Sequence, residues 1–281
     1  MRTKTTLYIL VIMLFILLGI VYAVETYIPQ VSVTTIESEA LAGFFDSSTM
    51  VQLSDWHFIG IGWRERQVLE TVEAIHPALI LMTGDYIDYG IDFDQLRECF
   101  RRLRRIAPVI AILGNNDDFC RDSLRRICAE TGIELLRNQT ARLVHGADTV
   151  YIVGTGDNTR WRDNYYLAVK GLTPDNRRIV LAHAPAIAEM IDSSGVELIL
   201  SGHIHGGQIV FPIVGALYSN RTPYVSRVYW EGLYSVHGMP VYSNRGIGTS
   251  DLPIRFLSRP EIAVFSFVPT ESMERPAGIK E

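Results

Sequence analysis

Leu79-Ile80-Leu81-Met82-Thr83-Gly84-Asp85 is an apolar run that stops at a hydroxyl, a glycine and a carboxylate. Four apolar residues in a row, without polar alternation, suit a strand buried on both faces. The same design recurs on either side. Thr49 to Leu53 ends at Ser54-Asp55, and Pro108 to Leu113 ends at Gly114-Asn115. Arg178 to Ala182 leads into His183, and Leu198 to Leu200 into Ser201-Gly202-His203. Thr149 to Val153 is a further strand-like run. Between these runs the spacing turns helical. Arg64 to Ile75 places Val68, Leu69, Val72 and Ile75 on one face, and Pro77 stops it. Phe93 to Ile106 and Arg121 to Glu130 are also helical, the latter closed by Gly132, and Ala186 to Ile191 is a short helix. Alternating buried strands and helices predict a layered α/β domain. The C-terminal third is richer in turns and carries strand-like Met239 to Tyr242 and Ile262 to Phe267.

The chain has 281 residues, 26 basic against 31 acidic, net charge -5. A general nucleic-acid binder needs a basic excess to displace counterions from phosphates, so no nucleic-acid-binding surface is expected. The cysteines are Cys99, Cys120 and Cys128. An odd count without a Cys-x-x-Cys pair argues against a disulfide framework and against a thiolate zinc site. Cys99 and Cys128 read as small buried hydrophobes. Leu7 to Val24 is 18 residues without a charge, preceded by Arg2 and Lys4. That length reaches the short end of a bilayer-spanning helix. A cleaved signal peptide shares the basic start but has a shorter apolar core, and Val21-Tyr22-Ala23 is its candidate cleavage site. The division expected is an anchor with linker start over residues 1–30 and one domain over 31–281, with Thr26 to Ser48 as linker. No Lys or Arg follows the apolar run until Arg64, so the positive-inside rule places the body outside the cytoplasm.

Five strand ends carry Asp55-Trp56-His57, Gly84-Asp85, Gly114-Asn115, His183 and Gly202-His203-Ile204-His205. Ligands of α/β sheets bind outside the carboxyl ends of strands, so the five clusters predict one shared site. Four of the seven histidines fall in them. Asp and Asn supply hard oxygens and His supplies imidazole nitrogen, a mixture that suits manganese, iron, zinc, nickel or cobalt. Asp55, His57, Asp85, Asn115, His183, His203 and His205 are too many ligands for one ordinary ion. They suit two ions sharing a carboxylate, the arrangement that activates water and clamps a phosphoryl group.

The order Asp-Trp-His, Gly-Asp-Tyr-Ile-Asp, Gly-Asn-Asn-Asp, His-Ala-Pro and Gly-His-Ile-His resembles the calcineurin-like metallophosphoesterases. Gly202 to Gln208 and Asn244 to Ser250 resemble their bacterial membrane-anchored phosphodiesterase branch. The resemblance covers Met50 to Phe267. It implies a four-layer α-β-β-α sandwich, preceded here by one hydrophobic helix. It assigns Asp55, His57 and His205 to one divalent metal, Asn115, His183 and His203 to the other, and Asp85 to both. It implies a metal-activated hydroxide attacking phosphorus, with Asp85, Asn115, His203 and Asn116 as the catalytic group. Asn116, Gly206 and Gly207 are the expected substrate contacts.

One position departs from the family pattern. Its third block usually reads Gly-Asn-His-Asp or Gly-Asn-His-Glu, whereas this chain has Gly114-Asn115-Asn116-Asp117. The missing His normally hydrogen-bonds phosphate and can protonate the leaving group. An amide donates a hydrogen bond but delivers no proton at neutral pH. Pyrophosphate bonds and activated esters are therefore favoured, unless Asp117, Asp118 or His237 supplies the acid. The expected activity is hydrolysis of phosphodiester or pyrophosphate bonds, some of them lipid-linked, at the membrane surface. A UDP-2,3-diacylglucosamine pyrophosphatase of lipid A synthesis and a non-catalytic metal-bound scaffold are the alternatives. Arg101, Arg102, Arg104 and Arg105 form a basic helical run, either a solvated face or a contact for anionic lipid. Arg160-Trp161-Arg162 with Tyr165 and Tyr166 reads as a headgroup contact or as an ordinary packed loop. The five tyrosines from Tyr218 to Tyr242 read as core or pocket wall.

Overall fold

A computed structural model describes residues 2–216 and 229–270. The chain opens with α1 (Arg2–Tyr27), β1 (Gln30–Glu37), α2 (Glu39–Phe45), β2 (Met50–Leu53), α3 (Trp63–Ile75) and β3 (Leu79–Met82). It continues with α4 (Phe93–Ile106), β4 (Val109–Ala111), α5 (Arg121–Thr131), β5 (Glu134–Leu135), β6 (Gln139–His145) and β7 (Asp148–Gly154). Next come α6 (Tyr165–Ala168), β8 (Arg178–Leu181), β9 (Val196–Ser201), β10 (Val210–Phe211) and β11 (Gly215–Ala216). After the undescribed segment follow β12 (Gly232–Val236), β13 (Met239–Ser243) and β14 (Glu261–Val268).

These strands form two six-stranded sheets, in the orders β1-β14-β2-β3-β4-β5 and β12-β13-β9-β8-β7-β6. The apolar runs are buried on both faces, as their composition predicts. In β3, Ile80 and Met82 pack under the helices α3, α4 and α5, while Leu79 and Leu81 face the other sheet. The inter-sheet core joins Leu81 and Ile110 to Ile179, Leu181, Leu198 and Leu200. The far side of the second sheet is covered more thinly, by α6 and a 3-10 turn at Pro185–Glu189. The layers are thus α-β-β-α, with the expected short helix after His183 tightened to that turn. Cys99 and Cys128 are buried, and burial pushes both thiols up to about 12.

The stretch read as a linker is structured. α1 runs on to Tyr27, β1 follows after two residues, and Ser38 caps α2. β1 is an edge strand with Val31 and Val33 exposed, so it lacks the continuous apolar run that marks the inner strands. Its partner is β14, paired from Gln30↔Glu261 onward, a contact between opposite ends of the chain. β1 is parallel to β14 and β14 is antiparallel to β2. The start of β1, and with it the end of α1, therefore lies at the sheet edge where β2, β3 and β4 deliver their carboxyl ends.

The basic run Arg101, Arg102, Arg104 and Arg105 on α4 forms a solvated face, with three of the four in ion pairs. Arg102 meets Glu73 at 2.7 Å, Arg101 and Arg105 flank Glu98, and Arg104 donates to the Gly132 carbonyl.

Candidate metal centre

The parallel ladder continues past the strand ends and fixes the polar loops. The Asp55 N–H donates to the Gly84 carbonyl at 2.9 Å, and the His57 N–H to the Asp85 carbonyl at 3.1 Å. The Gly202 N–H donates to the His183 carbonyl, which joins the two loops of the second sheet. Asp55, His57, Asp85, His203 and His205 all have positive φ, between 46° and 71°. Left-handed backbone is uncommon for residues with a Cβ and clusters at functional sites, where surrounding contacts over-determine it. The glycines permit the close approach. A Cβ on Gly114 would collide with the Asp85 carboxylate, and one on Gly202 with Ser54 and Asp55.

The expected ligands converge in two buried groups. Asp55, His57 and His205 form one, and Asp85, His183 and His203 the other, each with ligand atoms within 4.8 Å of one another. In the first group His57 Nε2 lies 3.2 Å from His205 Nε2, which is 3.6 Å from Asp55 Oδ1. In the second, His183 Nε2 lies 3.1 Å from His203 Nδ1, 3.0 Å from Asn115 Oδ1 and 3.4 Å from Asp85 Oδ2. Asp85 Oδ2 is also 3.9 Å from His57 Nε2, so one carboxylate faces both groups. Lone pairs converging from imidazoles, carboxylates and an amide oxygen match the donor set of a borderline divalent cation. His183 Nδ1 donates to the Thr83 carbonyl at 2.9 Å, which turns Nε2 toward the other members of the group.

The charges agree with that reading. Burial lowers His203 to about 3, helped by the neighbouring His183. Burial, then His57 and Arg255, hold His205 well below its usual range. Both are neutral imidazoles. Burial alone would also lower His183 and raise Asp85, but their mutual attraction outweighs it and moves them the opposite way. A proton shared within this pair partly offsets carboxylate charge that a divalent cation would neutralise more fully.

Several supporting residues were not legible beforehand. Gln52, on β2 and fully buried, donates to the Thr83 hydroxyl and to the Ser201 carbonyl across the sheets. Thr83 donates to Ser54, and Ser54 donates to Asp55 Oδ2 at 2.6 Å. A glutamine inside an apolar strand was the available signal. Arg255 is buried behind His205, and its guanidinium donates to the carbonyls of His205, Ser258, Arg245 and Gly248. Burial and then Arg64 draw it down to about 9, so it stays charged at neutral pH. The block Asn244 to Ser250 crosses beneath Asp55, with the N–H groups of Ile247 and Gly248 donating to the Ser54 and Asp55 carbonyls.

A cavity of about 560 Å³ opens over the first group. His57, Asn115 and Asn116 line it with Asp88, Asp118, Arg160 and the segment Thr249 to Pro253. Asn116 is held by its N–H on Asp85 Oδ1 at 2.8 Å, and its side-chain amide lies 3.3 Å from His57 Nδ1. Of the replacement acids, Asp117 is excluded by position. It is fully buried and accepts the N–H groups of Asp85, Tyr86 and Gly114, with burial and then Asp85 raising it to about 8. His237 occupies the β12–β13 turn, at the end of β13 opposite the site. Asp118 does reach the cavity, where it pairs with Arg160 at 3.6 Å and with Arg162. Asp88, 3.9 Å from His57 Nδ1, is a carboxyl at the mouth that the sequence reading passed over.

Gly206 and Gly207 are buried but do not line this cavity; Cβ atoms there would meet Arg245 and Ala216. They shape the chain behind His205, because the turn after the ligand bends inward instead of along the mouth. Arg160 lines the cavity and Trp161 is exposed, while Tyr165 is buried. Tyr218 and Tyr224 lie outside the described residues. Tyr229 packs on Tyr234, and Tyr242 donates to Glu261 at 2.7 Å.

Comparison with known proteins agrees with this geometry. The sequence model for Calcineurin-like phosphoesterase matches residues 48–207. The uncharacterized metallophosphoesterase YkuE of Bacillus subtilis is 32% identical over 255 residues, 88% of each chain. Phosphodiesterase YaeI of Escherichia coli is 31% identical over 198 residues, covering 68% of this chain and 71% of the relative. UDP-2,3-diacylglucosamine pyrophosphatase LpxG of Chlamydia trachomatis is 33% identical over 147 residues, covering 49% and 42%. With two ligand groups at the strand ends, more than half the residues matched by the family model and similarity along most of its length, the chain belongs to the calcineurin-like phosphoesterase family.

Proposed function

We propose that the protein is a binuclear metal-dependent hydrolase of phosphodiester or pyrophosphate bonds, held at the cell membrane by α1. The observation that carries this reading is one carboxylate, Asp85, facing two buried ligand groups beside a solvent cavity. Asp55, His57 and His205 would hold one ion, and Asn115, His183 and His203 the other, with Asp85 common to both. Manganese, iron, zinc, nickel and cobalt all suit these donors. Two such ions would activate water and offset phosphoryl charge. The remaining work falls to the protein. Burial keeps His203 and His205 neutral, the Thr83 carbonyl orients His183, and Asp117 holds the backbone of Asp85 and Gly114. Asn116 presents an amide at the cavity wall, able to donate to a phosphoryl oxygen but not to protonate an alkoxide. The site therefore suits leaving groups that depart without a proton, such as phosphate or an activated phenol. Asp88, Asp118 and Asp251 are the carboxyls within the cavity wall that could serve a poorer leaving group.

Purified full-length protein should hydrolyse bis-nitrophenyl phosphate or a nucleotide pyrophosphate only with added divalent metal, and lose activity to a chelator. Hydrolysis unaffected by exhaustive metal removal would defeat the two-metal reading.

The placement of Arg2 and Lys4 ahead of the apolar run, with no basic residue until Arg64, favours a domain outside the cytoplasm. Similarity to LpxG favours a second reading, a UDP-2,3-diacylglucosamine pyrophosphatase, whose nucleotide substrate requires a cytoplasmic site. An alkaline phosphatase reporter fused after Glu281 separates them: activity supports export, and an inactive fusion with an active cytoplasmic reporter supports the second.

A further inference from the structure

We propose that the surface beside the cavity mouth, formed by the loop Leu252 to Leu257 and the adjoining β10–β11 hairpin, is a bilayer-docking face, so that the site takes amphiphilic phosphoesters whose apolar part stays in the lipid. The substrate clause rests on the hydrolase reading above; the docking face does not.

The helix α1 supplies the reference plane. Within Thr6–Tyr27 the most apolar 18 residues have a mean hydropathy of 3.0, and none of them is buried against the rest of the chain. Its last turn is not a free tether. The Tyr22 hydroxyl donates to the Pro253 carbonyl at 3.0 Å, the Thr26 hydroxyl accepts from the Arg255 N–H at 3.1 Å, and Glu25 Oε2 accepts from the Leu257 N–H at 2.7 Å. Arg259 then donates to the Ile28 carbonyl. The loop is thus fixed where the chain leaves its apolar span. Leu252 and Pro253 of that loop also line the cavity. The mouth of the site is therefore within a few residues of the point where the helix meets the body.

The surface at this point is apolar. Leu252, Ile254 and Leu257 are exposed, and the hairpin joins them through Phe211, which packs on Phe256 at 5.2 Å, and the Val210 N–H, which donates to the Phe256 carbonyl. At the hairpin tip Ile213 is fully exposed and Val214 is 70% exposed. Ile213 also has φ +74°, a conformation that a turn in water would give to glycine or asparagine. A β-branched side chain there carries backbone strain, and in water it would leave its whole apolar surface hydrated, a cost that burial in an apolar phase removes. Across the mouth, Tyr89 and Phe119 stack at 5.2 Å and are both exposed. The Tyr89 ring, with an apolar body and a hydroxyl, suits the headgroup level of a bilayer, and Phe119 extends its apolar side. The outer face of α4, by contrast, is covered with Arg–Glu pairs. Exposed apolar residues continuous with a membrane-entering helix commit the face to lipid.

The test uses the full chain reconstituted in phosphatidylcholine–phosphatidylglycerol vesicles. Nitroxide labels are placed at Ile213→Cys and Leu257→Cys, with Val144→Cys as control, all in a Cys120→Ser background. Val144 is exposed on β6 next to His145, which donates to the Phe44 carbonyl at the end of the body opposite α1. Labels at 213 and 257 should collide with a water-soluble nickel complex several-fold less often than the label at 144, and more readily with oxygen. Equal nickel access at all three sites would overturn the docking face, whatever the enzyme does. The double variant Ile213→Glu with Leu257→Glu then tests the substrate clause. It should slow hydrolysis of a phosphodiester lipid in the bilayer several-fold and leave bis-nitrophenyl phosphate unchanged. A parallel loss on both substrates, or none on either, overturns that clause. A native chain inactive on every phosphoester with metal present overturns the hydrolase reading, and the labels still decide the docking face.

Discussion

The two ligand groups differ in what stands behind them. Asp85, His183 and His203 are braced from within the sandwich, by the Thr83 carbonyl, by Asn115 and by Asp117 under the neighbouring backbone. Asp55 shares that inner bracing through Ser54, but its group is also braced from outside, by the C-terminal loop that places Gly246 against Asp55 and Arg255 behind His205. That loop also holds the end of α1 through Thr26 and Glu25. The second group is therefore held mainly by the strand-end loops and by its contact with Asp55. The first group is also coupled to the apolar helix α1, through the backbone of Arg255 and Leu257 and the contacts of the Arg255 guanidinium and Ser258 hydroxyl with the His205 carbonyl.

The strongest way to break this asymmetry is to remove what both halves share. Asp85→Asn should leave the fold intact by circular dichroism and cost about 10³-fold or more in hydrolysis, since preorganised charge at a reacting phosphate is worth that much. Bound metal should fall at both positions, and a variant keeping full activity would dissolve the pairing. Asn116→His probes the mouth, where the amide leans on His57 of the loop-braced half. Restoring an acid should raise the rate on an alkyl phosphodiester relative to a nitrophenyl ester by about 10²-fold. An equal change on both would show that position 116 does not serve the leaving group.

Arg255→Met sharpens the comparison directly. Partners behind metal ligands typically govern roughly 10–100-fold in affinity. Titration should show one of two metal equivalents weakened by about that factor, with lower thermal stability from the orphaned carbonyls. Equal weakening of both equivalents would mean that the halves are not separately braced. Thr26→Val makes the smallest cut, one hydrogen bond worth about 1 kcal/mol. It should loosen the weaker metal equivalent a few-fold in reconstituted protein and leave the other unmoved. No difference from the native chain would place the coupling in Glu25 or Tyr22.

The sequence by itself determined the inner architecture and singled out the polar residues that gather at its strand ends. Strands buried on both faces must be apolar throughout, so Leu79 to Met82 and Leu198 to Leu200 are legible as runs, and any polar residue at their carboxyl ends stands out. Asp55, Asp85, His183, His203 and His205 stood out for that reason, and all lie in the two groups. The departure at Asn116 was equally legible, because it is a matter of which functional group occupies a position. The tertiary structure alone decided what surrounds them. β1 hides as an edge strand because only its partner β14, at the far end of the chain, gives it a ladder. Arg255 carries no local signal, since its role is to satisfy carbonyls of its own loop and of two segments distant from it, at His205 and at Arg245 to Gly248. Gly206 and Gly207 follow a ligand in sequence yet turn away from the cavity, because the chain bends behind His205. The placement of the apolar helix beside the mouth of the site depends on strand order in one sheet, a property of pairing between distant segments that no local spacing encodes.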